Sequence, residues 1–226
     1  MKIEQFSRKI LRKIVRIIIR FPAKWYFNRQ FKQAFTDDYD AFWVVDIDNT
    51  IAHTWPKMTP QYENAFRSQS DKMMSFEPFE AMQQLFQDVP PRTRIVFLTA
   101  RQYIRYFVTK RWLKKHGFLQ TDSVIVLVEY MKDKAPLLEG VVKNYFDKKQ
   151  ALQYLGNFEP KMGIKSSESS HYPIIYFDDL SYNHENCEVL YYADVITAVQ
   201  KIPIRYIGYD ELLEMQSAER NTTFKS

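Results

Sequence analysis

Apolar residues recur along the chain in two rhythms. Over residues 3–21 they keep helical spacing. Ile3, Phe6, Ile10, Leu11, Ile14, Ile17, Ile18 and Phe21 fall on one side, and Arg8, Lys9, Arg12, Lys13, Arg16 and Arg20 on the other. Val15 and Ile19 blur the boundary, and Pro22 predicts the end of the helix. Beyond residue 41 the apolar positions come as short unbroken runs: FWVVD (42–46), RIVFLT (94–99), SVIVLVEY (123–130), PIIYFDD (173–179), EVLYYADV (188–195) and IRYIGY (204–209). Runs without alternation suit strands buried on both faces of a parallel sheet. Helical patterns lie between them at 76–86 and at 103–117, the latter closed by Gly117, and two separate helical pieces are read at APLLEGVV (135–142) and KKQALQYLG (148–156). A polar loop fills 156–172. Strands alternating with helices predict an α/β fold: a Rossmann-like, mostly parallel sheet with flanking helices, preceded by an amphipathic helix. The expected division is a basic segment at 1–35, one domain at 36–215 and a frayed tail at 216–226.

Charge sharpens that division. Ten of the 32 Lys/Arg and one of the 27 Asp/Glu lie in residues 1–35, so this segment carries +9 and positions 36–226 carry −4. The basic character belongs to the N-terminus, and the acidic body offers no basic groove, which disfavours a nucleic-acid partner. No apolar run in the segment is long enough to span a bilayer, and no uninterrupted stretch suits a signal peptide. Residues 1–21 therefore carry three readings: a helix lying on an anionic membrane surface, a helix packed on its own domain or a partner, or an Arg-rich targeting sequence. A single cysteine, Cys187, rules out an internal disulfide and fits a reducing compartment. The expectation is a cytoplasmic protein, peripheral on the membrane if the helix docks there.

Three of the strands end in reactive residue types: Asp46 and Asp48, Thr99, and Asp178 with Asp179. In a parallel sheet the carboxyl ends share one edge, where ligands bind. Four carboxylates and a hydroxyl would meet there. Their mutual repulsion is tolerable around a divalent cation, and an oxygen-only set favours a hard ion such as Mg²⁺. Such a site beside a free carboxylate suits attack on a phosphate. Arg101 is read evenly as a contact to substrate phosphate or a surface helix arginine, and Thr99 alone would serve as a helix cap. His53 and His184 stand at no metal-ligand spacing and are read as structural or rim residues.

These residues carry a resemblance. DIDNT (46–50) resembles the DxDxT first motif of the haloacid dehalogenase superfamily, FLTAR (97–101) its second, and YFDDLSYN (176–183) its fourth. The likeness covers about residues 40–210. It implies that Asp46 is a nucleophile forming an aspartyl-phosphate, and that Asp48 protonates the leaving oxygen and then helps activate water. It also implies that the Asp48 backbone carbonyl helps bind Mg²⁺ along with Asp46, Asp178 and Asp179, and that Thr99 binds the transferring phosphoryl group. Asn49 stands where the family often has Gly, and asparagine tolerates a left-handed backbone. The family's third motif, a phosphate-binding lysine, is expected at Lys148, which has Leu152 and Leu155 at i+4 and i+7, or next at Lys149; Lys134 and Lys143 follow if the helix is set differently. The interval from Thr50 to Arg94 leaves room for a flap near 52–75 and not for a domain, so the enzyme is expected to be capless or minimally capped. The implied function is a Mg²⁺-dependent phosphomonoester hydrolase acting on a phosphorylated substrate of unknown class, a lipid phosphate or nucleic-acid end among them. The alternative is a catalytically silent phosphate-binding or membrane-surface scaffold module of the same fold.

Overall fold

The computed structural model describes residues 2–58, 62, 65–154, 173–180, 182–183, 188–189 and 193–215. Its elements in chain order are helix α1 (Lys2–Ala34), strands β1 (Ala41–Val45) and β2 (Ala52–His53), helices α2 (Trp55–Met58) and α3 (Gln69–Met74), strand β3 (Glu77–Pro78), helix α4 (Glu80–Gln87), strand β4 (Thr93–Thr99), helix α5 (Tyr106–Lys115), strand β5 (Val124–Leu127), helix α6 (Lys134–Tyr154), strands β6 (Ile174–Phe177), β7 (Tyr182–Asn183) and β8 (Glu188–Val189), helix α7 (Ala193–Gln200) and strand β9 (Arg205–Ile207).

Five strands form one sheet in the order β5-β4-β1-β6-β9, every pairing parallel. The unbroken apolar runs are explained by burial on both faces. Successive β1 side chains point to opposite sides: Phe42 stacks on Phe35 at the end of α1 and meets Tyr145 of α6, whereas Trp43 meets Phe86 of α4. Phe42, Val44 and Val45 are fully buried.

Helix α1 differs from expectation in length. It passes through Pro22 and runs on to Ala34. Proline removes one helical donor, at a cost of about 3 kcal/mol. Residues 18–22 are all exposed, so water can solvate the carbonyl left without a donor. Downstream, Phe27, Phe31, Ala34 and Phe35 enter the core, and Arg94 Nη1 donates 3.1 Å to the Ala34 carbonyl at the helix end. The second half of the basic segment is thus built into the domain.

Three further expectations change. The two helical pieces at 135–142 and 148–156 belong to one helix, α6, as far as Tyr154. The described residues of the run at 188–195 do not join the five-stranded sheet: Glu188–Val189 pairs with Tyr182–Asn183 in a two-stranded ribbon, and α7 begins at Ala193. The flap is an antiparallel pair, β2 with β3, holding α2 and α3 between its strands. The polar loop at 156–172 and the tail at 216–226 lie outside the described residues.

Candidate functional site

The register of the sheet brings the reactive residues together. Val45 pairs with Phe177, so Asp46 and Asp178 each stand one position past neighbouring strands. Val45 also pairs with Phe97, which puts Thr99 at the end of the strand on the other side. Backbone hydrogen bonds continue the lattice past the strand ends: Asp46 N donates to the Phe177 carbonyl at 2.9 Å, and Asp178 N to Ile207 at 3.2 Å. Asp46, Asp178, Asp179 and Thr99 are all buried.

The carboxylates gather round a lysine. Lys134, the first residue of α6, has no exposed surface; its Nζ lies 2.6 Å from Asp178 Oδ2 and 2.7 Å from Asp46 Oδ1. The contact with Asp178 is a hydrogen bond. The contact with Asp46 is close enough for an ion pair but leaves Oδ1 without a well-directed hydrogen bond. Tyr176 Oη also donates to Asp178 Oδ2, Tyr206 Oη donates 3.1 Å to the Asp178 carbonyl, and Thr50 Oγ1 donates 3.5 Å to Asp179 Oδ1.

Three carboxylates lie close together here. Ligand oxygens of Asp46, Asp178 and Asp179 lie within 4.8 Å of one another, and Lys134 pairs with Asp46 and Asp178. Burial pushes Asp46 up from its ordinary 3.8 to about 7; Lys134 opposes the shift, and Asp178 and Asp48 add to it. Asp178 is raised as well, again chiefly by burial. Burial works to lower the Lys134 pKa, but Asp178 and Asp46 outweigh it and keep the lysine charged. The all-oxygen donor set and the buried oxygens Asp46 Oδ1 and Asp178 Oδ1, neither of which accepts a hydrogen bond, fit a hard divalent cation. Thr99 Oγ1 is likewise buried without a hydrogen-bond partner.

Asp48 stands apart from this group. Its side chain is about one-third exposed and receives a two-pronged grip from Arg101, Nε to Oδ2 at 2.7 Å and Nη2 to Oδ1 at 2.6 Å. Arg101 is itself buried, with Nη1 donating 3.1 Å to Thr109 Oγ1 on α5. It is neither a surface arginine nor free toward solvent. Asn49 shapes the turn that follows the two acids: its φ is 59°, in the left-handed region, and its Oδ1 accepts from Thr54 N, Thr54 Oγ1 and Trp55 N at 3.2, 3.0 and 2.9 Å. Asparagine supplies both the conformation and an acceptor that glycine lacks.

Lys148 and Lys149, expected at the site, lie elsewhere. An α-helix rises about 1.5 Å per residue, which puts Lys148 about 21 Å along α6 from Lys134. Lys148 is exposed beside Lys32 and Phe35, and Lys149 pairs with Asp37 at 3.1 Å. Lys143 is also exposed. The signal that picks out Lys134 is Pro136, which marks the first turn of a helix. From there Leu138, Val141, Val142 and Tyr145 form one buried stripe. His53 sits on the flap against Phe79, and His184 lies outside the described residues.

Comparison with family models, curated proteins and solved structures finds no match for this chain. Among the described residues, no helix is long and apolar enough to cross a membrane.

Proposed function

We propose that the chain is a Mg²⁺-dependent phosphomonoester hydrolase of the haloacid dehalogenase type, working through an aspartyl-phosphate on Asp46. The observation that carries this reading is the buried Asp46 carboxylate held 2.7 Å from the buried Lys134 ammonium, beside Asp178 and Asp179 at the carboxyl edge of a parallel sheet. Asp46, Asp178, Asp179 and the Asp48 carbonyl would hold the metal. When bound, Mg²⁺ supplies positive charge that reduces repulsion between the carboxylate and an anionic substrate.

The chain's own residues divide the remaining work. An Asp46 oxygen forms a bond to phosphorus as the bond to the leaving oxygen breaks, and Asp48 gives that oxygen its proton. In the second step water attacks the phosphoryl group, Asp48 takes a proton from it, and Asp46 is released with inorganic phosphate. Lys134 and the free hydroxyl of Thr99 are suited to hold phosphoryl oxygens. Arg101 orients Asp48 in the resting state. Both carboxylate oxygens of Asp48 are held by this grip, so phosphate binding has to loosen the pair before Asp48 can reach the leaving oxygen. The flap formed by β2, α2, α3 and β3 is small. This supports a minimally capped site open to large or surface-bound substrates.

The test is hydrolysis of an aryl phosphate. Activity should require Mg²⁺, vanish with a chelator, and fall by roughly four orders of magnitude in Asp46→Asn with the fold intact by circular dichroism. Wild-type turnover in Asp46→Asn, or in the presence of chelator, refutes the proposal.

A further inference from the structure

Helix α1 presents two faces over its described side chains. Phe27, Phe31 and Ala34 point into the core, whereas Ile18, Phe21 and Trp25, spaced i, i+3 and i+7, are 66%, 77% and 64% exposed. They do not stand alone. Phe27 stacks on Tyr103 at 5.5 Å, in the turn that follows β4, and in the same stretch Ile104 and Phe107 are exposed, Phe107 as fully as Phe21. Five large apolar side chains therefore lie open on α1 and on the adjoining turn and start of α5, more than isolated surface apolars require.

Cations border them. Arg29 lies over the Trp25 ring at 5.5 Å. Arg20 binds Glu129 at 2.7 Å and Lys24 lies 3.8 Å from Asp133, yet both keep nearly half of their side-chain surface exposed. These pairs also fix where the surface sits. Glu129 follows the end of β5 and Asp133 precedes Lys134, so α1 lies against the loop that carries the site lysine.

We infer that this surface, centred on Phe21, Trp25 and Phe107, docks the protein on an anionic lipid membrane with the carboxyl edge of the sheet held close to the lipid. Three features favour lipid over a folded partner. Residues 18–22 of α1 are all exposed, and only Arg20 among them reaches the domain through a described ion pair, so the turn offers a convex form that a planar fluid surface accepts without a matching groove. Tryptophan and phenylalanine fringed by Arg and Lys match the boundary between headgroups and acyl chains. The +9 of residues 1–35 against the −4 of the remainder makes an anionic surface attract this end and repel the other. The docking surface stands whether or not Asp46 is a nucleophile.

The test is co-sedimentation of the full chain with vesicles of phosphatidylcholine alone, or of phosphatidylcholine and phosphatidylglycerol in equal parts. Binding should appear on the anionic vesicles only and weaken as salt rises. Phe21→Glu with Trp25→Glu should weaken it by roughly tenfold or more, and Phe107→Glu by several-fold, with melting temperatures unchanged because these side chains are exposed. Full chain left in the supernatant with anionic vesicles at low salt overturns the inference, as does undiminished binding by the double variant. Two other outcomes also overturn it: a dimer in sedimentation velocity that the double variant dissociates while vesicles bind nothing, or binding of a duplex oligonucleotide without vesicle binding.

Discussion

Removing the Lys134 ammonium leaves Asp46 and Asp178 buried beside each other without their cation. Breaking a buried ion pair from one side costs about 3–5 kcal/mol, whereas an exposed lysine costs about 0.5 kcal/mol or less. Lys134→Met should therefore lower the urea midpoint sharply and abolish phosphatase activity, and Lys148→Met should change neither. Equal effects would mean that the site lysine is wrongly assigned. Asp46 makes a second prediction at this scale. Its carboxyl is pushed by burial from 3.8 to about 7, so across that window the folded chain holds a proton that the unfolded chain has released. Stability contributed by this group is present below about pH 4 and lost as pH rises toward 7. In chelator the melting temperature should fall over that range, less steeply in Asp46→Asn. Added Mg²⁺ should flatten the dependence, because the ion replaces the proton. A wild-type chain and Asp46→Asn with the same pH slope would contradict it.

At the scale of elements, α1 links two environments. Its second half leads into Phe35, which stacks on Phe42, and Phe31 is fully buried with its ring edge-on to Phe35. Phe31→Ala should cost about 3–5 kcal/mol, and a chain lacking residues 1–35 should lose the cooperative unfolding transition that a chain lacking residues 1–17 keeps. Calorimetry distinguishes these outcomes; an equally sharp transition after removal of residues 1–35 would show that the helix adds nothing to the core. The same element shows where sequence patterns mislead. Pro22 is a sound stop signal when a helix has only its own hydrogen bonds, but here tertiary anchoring at Phe27, Phe31 and Phe35 carries the helix past it. Reading 135–142 and 148–156 as separate pieces placed the expected lysine at the start of the second, whereas in the single helix the lysine beside Asp46 is Lys134, at the start of the first. The five sheet strands were legible because burial on both faces leaves an unbroken apolar run. EVLYYADV has the composition of such a strand, yet its described residues are the ribbon pair Glu188–Val189 and the start of α7, since short apolar runs do not distinguish strand from buried helix.

Over the whole molecule, four stretches distant in sequence meet at one edge: Asp46 and Asp48, Thr99 and Arg101, Lys134, and Asp178 with Asp179. The acidic members were legible because each ends an apolar run and a parallel sheet aligns such ends. The two cations were less so. Nothing local marks Arg101 as buried, and Lys134 depends on where a helix begins and on the loop before it, which α1 holds through Arg20 and Lys24. The central claim is that this edge transfers a phosphoryl group to Asp46. Slowing the second step exposes the intermediate most directly. Asp48→Asn, incubated with Mg²⁺ and an aryl phosphate and quenched in acid, should carry one phosphoryl group on the peptide containing Asp46 by mass spectrometry, and the double variant with Asp46→Asn should carry none. Substrate turnover with no phosphorylated peptide, or a phosphoryl group mapped to any residue other than Asp46, would contradict the account.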